Sequence, residues 1–285
     1  MKLACHALLC GVGAILAAGN ACAAEPKLEI RNFHLIYGQF GPERPDAAYF
    51  PGERMGCRYD LFGCAADGQG RSEVEVTIQL IDAKGKVRVA FSNVVKSQSW
   101  KNSKGFARVW SFHQFADDVR PGKYQFELAV EDKLSQSETK LTQEVVVKPI
   151  ALAIVSPRFY HDARHEVPGP LSGLVDQTIH ASFDVVGEDR SQGKVLLVHS
   201  FEILDDEGDN ILLDAKPQEA QLDDPQFLQD RSRRPVIRVA FPLRKAGRYT
   251  LRLTVLDQMA GAKAQLELPL EVLDPSEPST VAVNN

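Results

Sequence analysis

The stretch DVRPGKYQFELAV at positions 118–130 recurs, altered but recognisable, as KAGRYTLRLTV at positions 245–255. Gly122 and Tyr124 are each followed 125 residues later by the same residue type, while both stretches alternate large apolar with polar side chains. That period of two is typical of a strand with one buried face. The repeat predicts one β-hairpin used twice, in a chain made of two copies of one unit.

The same spacing, to within one residue, extends outward from this hairpin in both directions. The other strands are predicted at 27–33, 55–63, 74–82, 86–91, 106–115 and 138–147 in the first copy, and at 151–155, 179–187, 195–205, 211–213, 236–243 and 263–272 in the second. Short strands with turn signals at regular spacing, and no convincing amphipathic helix, favour a sandwich. The predicted fold class is all-β, with two tandem immunoglobulin-like antiparallel β-sandwich domains after a signal peptide.

Tyr124 and Tyr249 each come soon after a tight turn at the start of a penultimate strand, which resembles the tyrosine corner of Greek-key sandwiches. Phe126 and Leu251 stand where an antibody domain has the second cysteine of its disulfide, so packing must hold the sheets together. The chain resembles secreted bacterial proteins with tandem immunoglobulin-like or fibronectin-type-III-like domains. This resemblance implies a spacer, an adhesion or assembly surface, or an accessory binding domain, and it transfers no active site.

Four segments are predicted: a signal peptide at 1–24, a first sandwich at 25–148, a second at 149–273 and a disordered tail at 274–285. The tail is rich in Pro and Ser without an apolar period, which is typical of disorder. The short linker around Pro149 suggests that the two domains are held end to end with limited swing.

The first segment has the three parts of a secretory signal: Lys2, an apolar run at 8–18 and small residues before a cleavage site. A membrane anchor would need ~20 apolar residues, and this run is shorter. A lipoprotein signal would place a large aliphatic residue where Gly19 precedes Cys22. We therefore expect an exported protein, secreted or periplasmic, with no membrane span in the mature chain.

Composition narrows the range of partners. The chain has 33 basic and 38 acidic residues, a formal net charge of −5. This balance offers no broad attraction to a phosphate backbone, so we expect no nucleic-acid partner. The predicted partner is an unidentified protein of the envelope or extracellular space, with a glycan as the alternative.

Cys57 and Cys64 bring two rules into conflict. Two thiols seven residues apart in an exported protein are often a disulfide. The repeat places Cys57 inside a strand, however, at roughly 20 Å from Cys64 along an extended chain. A disulfide needs Cα atoms about 4.4–6.8 Å apart. We favour the strand and keep the bridge as the alternative.

No catalytic, cofactor or metal site is predicted. His161 and His165 have the spacing of metal ligands on a helix, but the surrounding prolines indicate a loop with solvated histidines. The acidic run 205–209 lacks the calcium-loop pattern, so a hairpin tip is the simpler interpretation. The segment 169–173 does not match the nucleophile elbow of serine hydrolases.

The segment 97–105 is the predicted interaction surface, because it carries Trp100 between Lys101 and Lys104 in a polar loop. An exposed indole could anchor a protein interface or stack on a sugar; alternatively it folds down onto the sandwich. Trp110 shares a face with Phe112 and Gln114 in an alternating strand, and this face is predicted to lie in the core. We expect a non-enzymatic structural or protein-interaction module of the cell envelope. The alternatives are a carbohydrate-binding accessory protein that uses the Trp100 loop, and an enzyme with an unfamiliar site.

Overall fold

The computed structural model describes residues 27–97, 106–212 and 216–276. The predicted signal peptide and most of the predicted tail lie outside these residues, so both stay predictions. Within the described residues, no helix is long and apolar enough to cross a membrane.

The described residues form sixteen strands and one short helix, α1 (Pro225–Gln229). The first eight strands are β1 (Glu29–Ile36), β2 (Ala48–Tyr49), β3 (Arg54–Phe62), β4 (Ser72–Asp82), β5 (Val87–Ser97), β6 (Phe106–Gln114), β7 (Gly122–Asp132) and β8 (Glu138–Val147). The second eight are β9 (Ala153–Tyr160), β10 (Ser172–Leu174), β11 (Thr178–Val186), β12 (Val195–Leu204), β13 (Gln218–Leu222), β14 (Val236–Pro242), β15 (Gly247–Asp257) and β16 (Ala262–Leu273).

Each half of the chain forms a three-stranded and a five-stranded sheet. The orders are β1-β3-β6 and β2-β8-β7-β4-β5 in the first half, and β9-β11-β14 and β10-β16-β15-β12-β13 in the second. Every strand of the second half thus repeats a strand of the first. The pairings are antiparallel except β2 with β8 and β10 with β16. The predicted all-β fold of antiparallel sheets is confirmed. The assignment of the two halves to immunoglobulin-like domains stays a prediction.

The repeated hairpin forms the centre of each core. Alternate residues of β7, from Tyr124 to Val130, are buried, as are those of β15 from Tyr249 to Val255. They pack against the three-stranded sheet opposite in two separate apolar clusters, one for each half. Each fully buried large apolar side chain contributes about 1.5–3 kcal/mol, so these rows hold the sheets together without a disulfide.

The two tyrosines occupy the same place. The Tyr124 hydroxyl donates to the carbonyl oxygen of Arg120 at 2.8 Å, and the Tyr249 hydroxyl donates to that of Lys245 at 3.0 Å. Gly247 precedes the second tyrosine with φ +154°, and a Cβ there would lie 3.2 Å from the Tyr249 hydroxyl oxygen. The tyrosine therefore closes the turn that enters the hairpin in both copies.

A buried aspartate closes the other end of each hairpin. Asp132 and Asp257 are both 0% exposed. Asp132 accepts two backbone N–H groups of its own turn and the N–H of Ala65 at 2.5 Å. Asp257 does the same, with the N–H of Asp189 at 2.7 Å. Each carboxylate thus ties the hairpin to the loop that follows the second long strand.

Several strand predictions need correction. No strand occurs at 211–212; the edge strand of the second half is β13, which begins after Pro217. Ile211 instead donates its N–H to Ile203 just after the Asp205 turn. The strands predicted at 27–33 and 151–155 run on to Ile36 and Tyr160, and β2, β10 and α1 were not predicted because they are too short to show a period.

The two sandwiches contact one another directly. The backbone N–H of Arg54 donates to Ser156 Oγ at 2.9 Å, and Arg234 pairs with Asp117 at 2.5 Å. Phe50 packs against Ala153, Val155 and Val186 of the second half. The residues 37–54 and 115–121 of the first sandwich therefore form its side of a junction with the second.

Candidate functional site

The predicted interaction residues Trp100, Lys101 and Lys104 lie outside the described residues, so that surface stays a prediction. The strands on either side place its ends: Ser97 pairs with Ser72, and Phe106 with Phe62. At the other end of the same two strands, Arg54 of β3 pairs with Gln114 of β6 close to the junction. Ser97 and Phe106, the described residues on either side, therefore lie at the end of the first sandwich away from the second.

The prediction that Trp110 packs in the core is wrong. Trp110 is half-buried and belongs to neither core cluster, whereas its neighbour Val109 packs against the first core. Ser111 also points inward, where its hydroxyl lies 3.1 Å from that of the buried Tyr59. The alternation correctly divided β6 into two faces, but the inner face is the one that carries the smaller side chains Ala107, Val109 and Ser111. The two large rings, Trp110 and Phe112, are on the outer face.

Phe40, Trp110 and Phe112 form an aromatic patch on the outer face of the sheet β1-β3-β6. Phe40 is 41% exposed, and its ring meets that of Trp110 at 5.5 Å and 73°, edge to face. Gly56 makes room for Phe112, because a Cβ at position 56 would lie 2.7 Å from the Phe112 ring. This glycine lets the ring lie against the backbone of β3.

A cleft of about 120 Å³ opens beside the aromatic patch, between the two sandwiches. We call it the junction cleft. Arg54 and Phe112 line it from the first sandwich, and Pro157, Arg158 and Tyr160 line it from the second. The Arg54 guanidinium lies 4.5 Å from the centre of the Phe112 ring, so the cleft and the patch share Phe112.

The two arginines of the junction cleft differ in their partners. Arg158 forms a two-pronged pair with Asp184, with one contact at 2.5 Å and the other at 3.3 Å, and it also bonds Ser182. The Arg54 side chain has no carboxylate partner among the described residues. Partial burial, together with repulsion from Arg158, lowers the pKa of Arg54. Arg54 thus forms no ion pair among the described residues; the nearby Asp184 carboxylate acts on it but is paired with Arg158.

Histidines line the second sandwich near the cleft. The His165 ring stacks on that of Tyr160, with the ring centres 4.7 Å apart. Burial lowers the pKa of His165, and the nearby Arg238 and His180 lower it further. His161 lies 3.1 Å from the side-chain nitrogen of Gln177. Within the described residues, no group of three or more His, Cys, Asp or Glu side chains is arranged to hold a metal ion.

Cys57 and Cys64 are free thiols in the structure, the first buried in β3 and the second half-buried after it. Burial raises the pKa of Cys57 to about 12 and that of Cys64 to about 11. Both thiols are therefore largely uncharged and poor nucleophiles at neutral pH. The predicted alternative of a disulfide remains open to a non-reducing peptide map.

The sequence analysis missed the aromatic patch and the junction cleft. Phe40 lies between Gly38 and Gly41 in a turn-rich segment where no strand period applies, and Phe112 was assigned with Trp110 to the core. The alternation in β6 did separate Trp110 and Phe112 from the residues of the other face, and the patch would have been found if the other face had been taken as the inner one. The cleft had no sequence signal, because Arg54 and Arg158 come from different copies of the repeat.

No protein-family model matches the chain, and no curated protein sequence matches it. Among solved structures it is similar to the C-terminal domain of the Streptococcus agalactiae AgI/II polypeptide BspA, at 9% identity and a TM-score of 0.28, over 86% of this chain and 99% of that chain. The C-terminal domain of the Streptococcus pyogenes antigen I/II-family protein AspA gives 10% identity and a TM-score of 0.28, over 86% and 99%.

Red sea bream transglutaminase gives 9% identity and a TM-score of 0.27. The match covers 87% of this chain but only 31% of the transglutaminase. TM-scores as low as these carry no information about the function of this chain.

Proposed function

We propose that this protein is a non-enzymatic interaction module of the bacterial cell envelope, exported to the periplasm or beyond, which binds a partner protein through the aromatic patch. The observation that carries the proposal is the cluster of Phe40, Trp110 and Phe112 on the outer face of a sheet. Aromatic residues and arginine are enriched at the centres of protein interfaces, and Arg54 lies over one of these rings.

The junction supports the same role. A partner binds more tightly to a surface that is already ordered, because less conformational entropy is lost. The hydrogen bond from Arg54 to Ser156 and the ion pair from Arg234 to Asp117 hold the two sandwiches together beside the patch. The pair of domains would then present one continuous surface.

The support for a binding rather than a catalytic role comes from the acidic groups. Asp132 and Asp257 hold turns, Asp60 pairs with Arg108, and Asp184 pairs with Arg158. These carboxylates are structural, so none of them is free to act as a general base. We expect no turnover of ester, peptide or glycoside substrates above that of heat-denatured protein.

The test is an affinity capture from the native envelope fraction, with the mature chain as bait. The wild type is compared with the double variant Phe40→Ala, Trp110→Ala and with the control Leu134→Ala, which removes a 47% exposed apolar residue elsewhere on the first sandwich. Partner recovery should fall by about tenfold or more with the double variant and stay unchanged with the control. Equal recovery by all three, or no partner above background, would overturn the proposal.

Carbohydrate binding is the competing outcome of that test. Sugars stack on flat aromatic faces, whereas Phe40 and Trp110 meet edge to face at 73°. A glycan array that retains the wild type but not the double variant would favour this alternative over a protein partner.

A further inference from the structure

The geometry points to the junction cleft as a binding site for the carboxylate of an Asp or Glu side chain on a polypeptide partner, next to an apolar residue of that partner. This inference rests on the proposed function and names the chemistry of the partner. It also accounts for an arginine that the fold itself does not use.

Arg54 differs from three other arginines of the two three-stranded sheets, each of which pairs with a carboxylate. Arg58 pairs with Glu43 at 3.0 Å, Arg108 with Asp60 at 2.8 Å, and Arg158 with Asp184 at 2.5 Å. Among the described residues, the Arg54 side chain contacts only the face of Phe112 and the walls of the cleft. Its position is nevertheless fixed, because its own backbone N–H donates to Ser156 across the junction.

The cleft has an excess of positive charge, although the chain as a whole carries −5. Arg158 lies close enough for its charge to disfavour the charged form of Arg54, and Asp184 is the carboxylate that faces them. An anion placed beside Arg54 would relieve this repulsion. A guanidinium binds carboxylates through two parallel hydrogen bonds, which suits an acidic side chain.

The size and lining of the cleft indicate what carries the anion. Its 120 Å³ corresponds to about four water molecules in the liquid, roughly one side chain. Pro157, Phe112 and Phe159 provide apolar walls for a neighbouring residue of the partner. A sugar acid is less well suited, because the rings beside the cleft form no flat platform.

The test is an NMR titration of the intact mature chain, in which the Nε–H signal of Arg54 is followed. The probes are the peptides acetyl-Phe-Glu-Phe-amide and acetyl-Phe-Gln-Phe-amide, glucuronate and inorganic phosphate. We expect the Glu peptide to shift the Arg54 signal and to bind at least about tenfold more tightly than the Gln peptide, the usual loss when a charged hydrogen bond becomes neutral. Glucuronate and phosphate should bind more weakly than the Glu peptide.

Two variants and one control sharpen the result. Arg54→Gln should weaken binding of the Glu peptide by about tenfold or more, and Arg54→Lys by less, because the lysine keeps the charge but loses the two-pronged geometry. The control Arg248→Gln removes an exposed arginine of β15 and should change nothing. Both positions are exposed, and unchanged melting curves will confirm that the three variants fold.

Several outcomes would overturn the inference. They are equal binding of the Glu and Gln peptides, tighter binding of glucuronate or phosphate than of the Glu peptide, absence of any shift at Arg54, or an Arg54→Gln variant that binds as the wild type does. The proposed function is judged separately: a partner captured through Phe40 and Trp110 whose recovery is unchanged by Arg54→Gln would leave it intact and remove only the carboxylate site.

Discussion

The two sandwiches share every strand, both tyrosine corners and both buried turn aspartates, yet their fifth strands differ. In the first sandwich β5 has 11 residues and includes the exposed Val87, Phe91 and Val94; in the second β13 has five, and α1 lies between it and β14. The repeat thus conserves the core and the turns that close it. The surfaces differ, so function is expected in what the copies do not share.

The buried ion pairs make the same point. The first sandwich buries Arg44 against Glu53, between the rings of Tyr37 and Tyr49. The second buries Arg190 against Glu188, under the Phe227 ring of α1. Neither pair has a counterpart in the other copy, and both lie in segments that contribute to the junction. Each sandwich therefore has its own buried ion pair near the end that contacts the other sandwich.

The largest expected loss of stability follows from a change at Arg190, which should affect only the second sandwich. Its guanidinium pairs with Glu188 and donates to the carbonyl oxygens of Phe227 at 2.7 Å, Asp230 at 3.0 Å and Arg233 at 2.7 Å. Arg190→Met leaves Glu188 buried without its partner, so the second sandwich should lose about 4 kcal/mol of its free energy of unfolding. Hydrogen–deuterium exchange should rise in β12 and β15 but not in β4 and β7.

The control for that change is Arg231→Met, at an exposed arginine nearby. It should leave both the stability and the exchange pattern unchanged. Equal loss of protection in the two sandwiches after Arg190→Met would show that Arg190 supports the whole chain rather than one copy.

The next largest loss of stability should follow from replacement of the buried turn aspartates, and it should be equal in the two sandwiches. Asp132→Ala and Asp257→Ala each remove the buried carboxylate that accepts three backbone N–H groups. Each change should lower the free energy of unfolding of its own sandwich by about 3 kcal/mol, because each lost hydrogen bond contributes about 1 kcal/mol net. Urea denaturation followed by exchange in β7 and β15 measures both. A difference of more than about 1 kcal/mol between the two would mean that the aspartates are not equivalent.

A smaller effect tests the tyrosine corners. Tyr124→Phe and Tyr249→Phe each remove one hydroxyl that donates to a carbonyl four residues earlier, while they keep the ring and its packing. We expect a loss of about 1 kcal/mol in each case, the usual net value of one such hydrogen bond. Thermal or urea unfolding of the two variants should give similar values, and no measurable change in one of them would break the symmetry of the repeat at this point.

The sequence predicted the fold because duplication supplies two independent views of each strand. Where both copies alternate, as in β7 and β15, the prediction of strand and of buried row is confirmed. Alternation does not say which of two faces is inner when both contain apolar residues, and for that reason Trp110 was misplaced. Ring size favoured burial, whereas the small side chains of Ala107 and Val109 pack on the core.

The candidate site lay beyond the reach of the sequence for a different reason. Asn32 and Ser156 both have φ near +50° at the point where β1 and β9 slip in register against their neighbours. This bulge exposes Ser156 to the Arg54 backbone of the other sandwich. An asparagine tolerates that conformation, but serine gives no such signal, and contacts between copies leave no periodic pattern.

The smallest expected effect sharpens the comparison at the junction itself. Asp117 and Arg234, whose side chains are 36% and 14% exposed, pair at 2.5 Å across the two sandwiches, and the corresponding position in the second copy is Pro242. A double-mutant cycle with Asp117→Asn and Arg234→Gln should give a coupling energy of about 0.5–1 kcal/mol, since a partly solvated pair is screened by water and salt. The coupling should weaken as salt is raised. If it is zero at low salt, the junction is held by the packing of Phe50 against Val155 and Val186 and by the hydrogen bond from the Arg54 backbone to Ser156.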